Sequence, residues 1–261
     1  MSTVEHNRDL SSRILSFENF KFNRNPPPNV GLHDVMVCYF DGGSRKVLPF
    51  SLAMTYPIIH DKCVSQEDKV YDVTLATCPW SLASIVLEGK FTATNSVSDS
   101  CLVITNGTKT FPIIKEPREK ELKRYEVDIK MLRNVFTEYP DCRFLVTNEE
   151  FRVATPLLPL DYYKNTEIPF PVQVPPGNIH PKTLVYLIQY ISSKDASFKA
   201  TVLVGRDATA TEVTGYNMIK SGVYEYVMKY EDKLKQKLGY VMPLLWFSWK
   251  SSLPDAKIIF L

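Results

Sequence analysis

Glycine is scarce in this chain, at 10 of 261 residues, and no run of about eighteen apolar residues occurs in it. The second absence leaves no candidate for a membrane-spanning helix. Neither sign of charge is in excess: 31 Lys and Arg face 29 Asp and Glu, a formal net charge of +2. That balance removes the electrostatic case for a nucleic-acid partner, which needs a basic face. The first ten residues lack the apolar core of a signal peptide. The five cysteines (Cys38, Cys63, Cys78, Cys101 and Cys142) are odd in number and irregularly spaced. They read as reduced thiols in a cytoplasmic setting and not as a disulfide framework. Nor is there a G-x-G-x-x-G, a P-loop, a G-x-S-x-G or an H-E-x-x-H, so the commonest nucleotide, hydrolase and zincin signatures are excluded. Asn106-Gly-Thr108 has the form of a glycosylation acceptor, but without export it reads as a turn.

What the chain does have is proline (18), tyrosine (14) and phenylalanine (14). That mixture favours strands and ordered loops over a helical bundle. Residues 1–30 read as an extended arm, with Phe17, Phe20 and Phe22 followed by the stiff Pro26-Pro27-Pro28. The phenylalanines would staple the arm to the body or to a partner, a second protein or another copy of the chain. Hairpins are predicted at Asp41-Gly42-Gly43, Glu88-Gly89 and Asn106-Gly107, where glycine supplies positive φ. Leu184–Ile191 and Ser197–Val204 read as a further strand pair. Helices are expected over Ser51–His60, Lys120–Arg133 and Lys220–Leu238, the last from apolar residues at three- and four-residue steps that stop at Gly239. The fold class expected is therefore β-rich α+β: antiparallel hairpins with a few covering helices.

The end of the chain echoes its middle. Trp246-Phe-Ser-Trp249 runs on to Pro254-Asp-Ala-Lys-Ile-Ile-Phe260, and Met131-Leu-Arg-Asn-Val-Phe136 runs on to Pro140-Asp-Cys-Arg-Phe-Leu-Val146. Glu150–Leu157 also shares a basic-apolar-Pro-apolar pattern with Ser44–Phe50. The echo predicts two similar half-units, residues 31–147 and 148–261, packed as one body behind the arm.

Several islands, taken in order, resemble an uncharacterised and mostly microbial family, domain of unknown function 3179. They are Gly43–Leu52, His60-Asp61, Cys78-Pro79 after Val73–Thr77, and the terminal Trp-Phe-Ser-Trp with its Pro-Asp. Asp61 stands where that family has Glu, Val64-Ser65 where it has Asn-Asp, and Trp80 where it has Leu. The resemblance implies a shape and brings no reaction with it.

One cluster carries chemistry. His60, Asp61, Cys63 and Cys78 suggest a thiol nucleophile, with His60 lowering the pKa of Cys78 and Asp61 beside the ligand. The spacing lacks the paired CxxC or HxxxH form of a zinc site, so no metal and no cofactor is expected. The plainer reading buries the thiols and hydrogen-bonds His60 locally. Trp246 and Trp249 suit either a ligand wall or core packing, and strand alternation would set them on opposite faces. His180-Pro-Lys-Thr183 reads as a turn. Two functions stand: a non-catalytic protein that binds a partner or assembles through its arm, or a thiol- or metal-dependent enzyme centred on His60 and Cys78.

Overall fold

The computed structural model describes residues 3–5, 10–17, 20–28, 30–32, 34–65, 67–114, 122–125, 127–146, 158, 162, 165–175, 179–191, 198–204 and 240–260. Four small sheets hold nearly all of its regular structure. The first takes β1 (Thr3–Glu5), β9 (Thr92–Ser98), β10 (Cys101–Thr105) and β11 (Thr110–Pro112), in that order. The second runs β12 (Arg124–Tyr125), β8 (Ser84–Glu88), β7 (Val70–Thr77), β6 (Ile58–Val64) and β2 (Ile14–Ser16). In the third the order is β13 (Val127–Met131), β4 (Val35–Asp41), β5 (Ser44–Pro49), β14 (Arg143–Leu145) and β3 (Phe22–Asn23). The fourth is β17 (Tyr240–Leu245), β15 (Leu184–Ile191), β16 (Phe198–Val204) and β18 (Lys257–Phe260). Each sheet packs on the next in a propeller-like ring: first on second, second on third, third on fourth through β13 and β17, fourth back on first.

The α+β expectation, with helices covering a sheet, is therefore corrected. Two α-helices occur among the described residues, α1 (Phe50–Thr55) and α2 (Leu132–Glu138). The helix expected over Ser51–His60 ends at Thr55, because Pro57 disfavours helical backbone at Tyr56. The chain then extends as β6. The helix expected over Lys120–Arg133 is largely strand. Val127, Ile129 and Met131 fall on the face that joins the main core, with Asp128 and the buried Lys130 on the other, and that period of two prevails over helix propensity. Lys220–Leu238 and Glu150–Leu157 lie outside the described residues. The turns at Gly42-Gly43 and Gly107 form as expected, with φ of 57°, 87° and 89°. Gly89 (φ 98°) does not close a hairpin: β8 stays in the second sheet and β9 begins the first.

The arm lies along its own body. β1 pairs with β9, β2 with β6 and β3 with β14, so one arm strand caps an edge of each of three sheets. Phe17 is buried and meets Phe20 and Phe22 edge-on at 5.1 and 5.9 Å. The described part of residues 1–30 is thus not a free arm offered to a partner.

The Pro-Asp echo marks a repeated sheet. β13 pairs antiparallel with β4, the chain crosses over through α2 and Pro140-Asp141, and β14 joins the far side of β5 in parallel. β17, β15, β16 and β18 repeat this order and these directions, crossing through a 3-10 turn at Trp246–Ser248 and Pro254-Asp255. The backbone bonds also correspond. Leu132 and Arg133 donate to the carbonyls of Asp34 and Leu32; Trp246 and Phe247 donate to those of Thr183 and Pro181. Arg143 faces Lys46 as Lys257 faces Thr201. The counterpart of β5 is consequently β16, not residues 150–157.

A polar network joins the second and third sheets. Asp61 Oδ2 accepts from Tyr39 Oη at 2.8 Å and pairs with Lys46 Nζ at 2.7 Å, all three side chains being buried. Asp41 accepts from the Val64 amide at 2.7 Å and pairs with Arg143. Asp61→Ala should leave the Lys46 ammonium buried without its counter-charge, at about 3–5 kcal/mol. Urea unfolding checks this, and pairing Lys46→Met with Asp61→Leu should recover most of the loss.

Candidate functional site

His60 sits on β6 opposite Thr74. Cys78 follows the end of β7, four residues beyond Thr74, which is about 13 Å along an extended strand. The two are therefore not brought together. The His60 Nε2–H donates to the Phe91 carbonyl at 2.6 Å, which occupies that nitrogen. Asp61, next in sequence, points to the opposite face because the segment is a strand and not a helix end. There it serves the Tyr39–Lys46 network. Cys63 shares that inner face, and burial together with Asp61 pushes its thiol up.

Trp246 and Trp249 are both fully buried, in one cluster with ring centroids 5.5 Å apart. The 3-10 turn replaces the expected strand alternation and points both indoles inward. They form part of the core where the fourth sheet meets the second, the Leu245 amide donating to the Ser81 carbonyl at 2.8 Å. Neither indole N–H has a hydrogen-bond partner among the described residues. That leaves a costly pair of buried donors.

Cys78 does have a partner, one that sequence spacing did not reveal. A tight loop, residues 78–83, joins β7 to β8, with Cys78 N donating to Ala83 O at 2.8 Å and Leu82 held at φ 62°. A two-residue turn joins β9 to β10, with Asp99 and Ser100 both at positive φ (51° and 64°), the geometry that suits strand twist. The two turns meet. Cys78 Sγ accepts from the Leu102 amide at 3.3 Å and donates to Ser100 O at 3.7 Å. Cys101 Sγ donates to Ser81 Oγ at 3.2 Å. Burial raises the Cys78 thiol, but hydrogen bonds from Cys101, Ser81 and the Leu102 amide outweigh it and bring it down to about 7. Cys101, equally buried and beside it, is pushed up. The two thiols thus sit side by side across the joint of two sheets, shifted in opposite directions. No local motif could have found it, since the residues meet only through packing.

Lys182, read from sequence as a turn residue, is also buried. Its Nζ donates to the Tyr162 carbonyl and to Asn165 Oδ1 (2.6 Å) and lies 3.8 Å from the centre of the Tyr162 ring. Burial pushes it down to about 8, with Glu167 opposing. His180 Nδ1 accepts from the Lys182 amide at 3.2 Å. Among the described residues, no three His, Cys, Asp or Glu side chains gather to hold a metal ion. None of their helices is long and apolar enough to cross a membrane. Comparison with protein-family models, with curated proteins and with solved structures returns no match to this chain.

Two measurements follow from this geometry. All five cysteines are buried, so a thiol reagent such as DTNB should titrate none rapidly in the native protein and all five after unfolding. His60→Ala should leave the labelling rate of Cys78 unchanged; a marked change would restore their pairing. For Lys182 the folded pKa lies below the ordinary value of 10.5. The penalty for keeping it charged is therefore full below about pH 8 and is relieved as pH rises toward the unfolded value. Unfolding free energy relative to Lys182→Met should rise between about pH 8 and pH 10.

Proposed function

We propose that this chain is a non-catalytic protein that works by binding a partner or by assembly. The observation that carries this reading is the outer edge of the fourth sheet. Arm strands cap an edge of each of the other three sheets, whereas β18 pairs with β16 on one side and with no described strand on the other. Ile258 and Ile259 are half-buried there and Phe260 is 65% exposed. An apolar edge that no described strand covers is a template for another strand. The groups with the most chemical promise are already engaged: His60 with a carbonyl, Asp61 with Lys46, the tryptophans with the core.

A thiol-dependent activity has one observation in its favour, the Cys78 thiol lowered to about 7 beside Cys101. It would rest on Cys78, Cys101 and Ser81 and not on His60, and both sulfurs are fully buried.

Sedimentation in an extract of cells that make the protein tests the binding reading. The chain should travel in a particle larger than its 29.9 kDa mass. Sedimentation as a 29.9 kDa species in extract and when purified would count against it.

A further inference from the structure

Two thiols from different sheets are held against each other where three turns meet. Cys78 follows β7 of the second sheet, and Cys101 opens β10 of the first. The backbone that carries Cys101 wraps the Cys78 sulfur, with the Leu102 amide 3.3 Å and the Ser100 carbonyl 3.7 Å from it. The two sulfurs are within hydrogen-bond reach of each other. Ser81 Oγ touches both, accepting from Cys101 at 3.2 Å and donating to Cys78. The third turn closes over this joint: Ser252 Oγ donates to Asp99 Oδ2 at 3.1 Å and the Leu245 amide to the Ser81 carbonyl at 2.8 Å. Cys38 and Cys142 also share an apolar cluster, but burial pushes both of those thiols up, as it does Cys63 and Cys101. Of the five, Cys78 alone is brought down, to about 7.

We propose that Cys78 and Cys101 are a redox pair, oxidised by hydrogen peroxide to a disulfide that fastens the first sheet to the second, and reopened by a dithiol reductant. Nothing in the pair depends on a partner chain, so it stands apart from the binding reading above. The thiolate is the nucleophile. Cys78 loses its proton and attacks one peroxide oxygen. An S–O bond forms, the O–O bond breaks, and the departing hydroxide takes up that proton as water, leaving a sulfenic acid. Cys101 then attacks the Cys78 sulfur and the S–O bond breaks. The Cys101 proton passes by Ser81 Oγ to the second departing hydroxide. Two thiols and one peroxide give one disulfide and two waters. Both sulfurs are fully buried, and that burial selects the oxidant. A molecule little larger than water enters through small local openings, whereas a bulky disulfide reagent does not. Two other titratable groups face the pair. Asp99 lies in the turn before Cys101, and Tyr162, kept neutral by burial, donates its hydroxyl to the Trp80 carbonyl at 3.1 Å.

Millimolar hydrogen peroxide on the purified native chain, followed by unfolding, alkylation and peptide mass spectrometry, tests the pair. Two of the five thiols should disappear into one intramolecular Cys78–Cys101 disulfide, and dithiothreitol should restore them. The oxidised form should melt about 5 °C higher, because the crosslink restricts the unfolded chain. Cys101→Ser should stop at a sulfenic acid on Cys78, captured by dimedone on unfolding, and Cys78→Ser should leave Cys101 reduced. Ser81→Ala should slow closure about tenfold or more. It should also move the pH midpoint of closure upward from about 7, since the Cys78 sulfur loses a donor. Five thiols that survive peroxide able to oxidise the unfolded chain would overturn the proposal. So would a disulfide between another pair or between chains, an oxidised form that melts no higher, or Cys78 driven to sulfinic acid while Cys101 stays reduced. An unmoved pH midpoint in Ser81→Ala would remove Ser81 from the mechanism. None of these results alters the sedimentation expected in extract, so the pair and the binding reading fail separately.

Discussion

The architecture depends on one covalent constraint satisfied by hydrogen bonds. A strand that has finished on one side of a hairpin must cross to the other side and enter parallel. The crossing exposes backbone donors that need acceptors, because unpaired buried N–H groups are costly. The chain meets this need twice in the same way. The first two residues of the crossing donate back to the segment that leads into the hairpin, Leu132 and Arg133 in one sheet, Trp246 and Phe247 in the other. That tie sets where the Pro-Asp turn falls, and with it the register of β14 and β18. The buried polar side chains come afterwards and lock neighbouring sheets together.

The two copies are used differently. Between β5 and β13 the first carries β6 to β12, and these strands build all of the second sheet except β2 and all of the first except β1. Its crossing is a short helix that buries Leu132 and Val135 against Met36, Val47 and Phe144, while the second copy fills the equivalent place with two tryptophans that sit in the core. Bulk at that point fills the core where the fourth sheet meets the second, beside the Leu245–Ser81 bond. The arm then distinguishes them again, since β3 covers β14 and no described strand covers β18.

The chemical groups that sequence reasoning gathered were dispersed by one misjudged local state. With Ser51–His60 taken as helix, His60 ended an element and faced a strand end. As strand, His60 and Asp61 point to opposite faces, and antiparallel register carries Cys78 about 13 Å from His60. The thiol partner that Cys78 does find, Cys101, lies on a different sheet. Its approach depends on two positive-φ turns meeting, and pattern or spacing does not encode that.

From the sequence alone came the β-rich character, the hairpins at Gly42-Gly43 and Asn106-Gly107, the thiol state of the cysteines, and the Pro-Asp echo. All are local matters: turn chemistry, side-chain type and a repeated string of residues. The tertiary structure alone decided that the echo is a repeated sheet crossing, that the arm spends three strands on its own chain, and that no described strand covers the outer side of β18. Strand order and edge occupancy depend on which distant segments pair. The free energy of that choice lies in contacts between residues far apart in sequence, so no window of the sequence contains it.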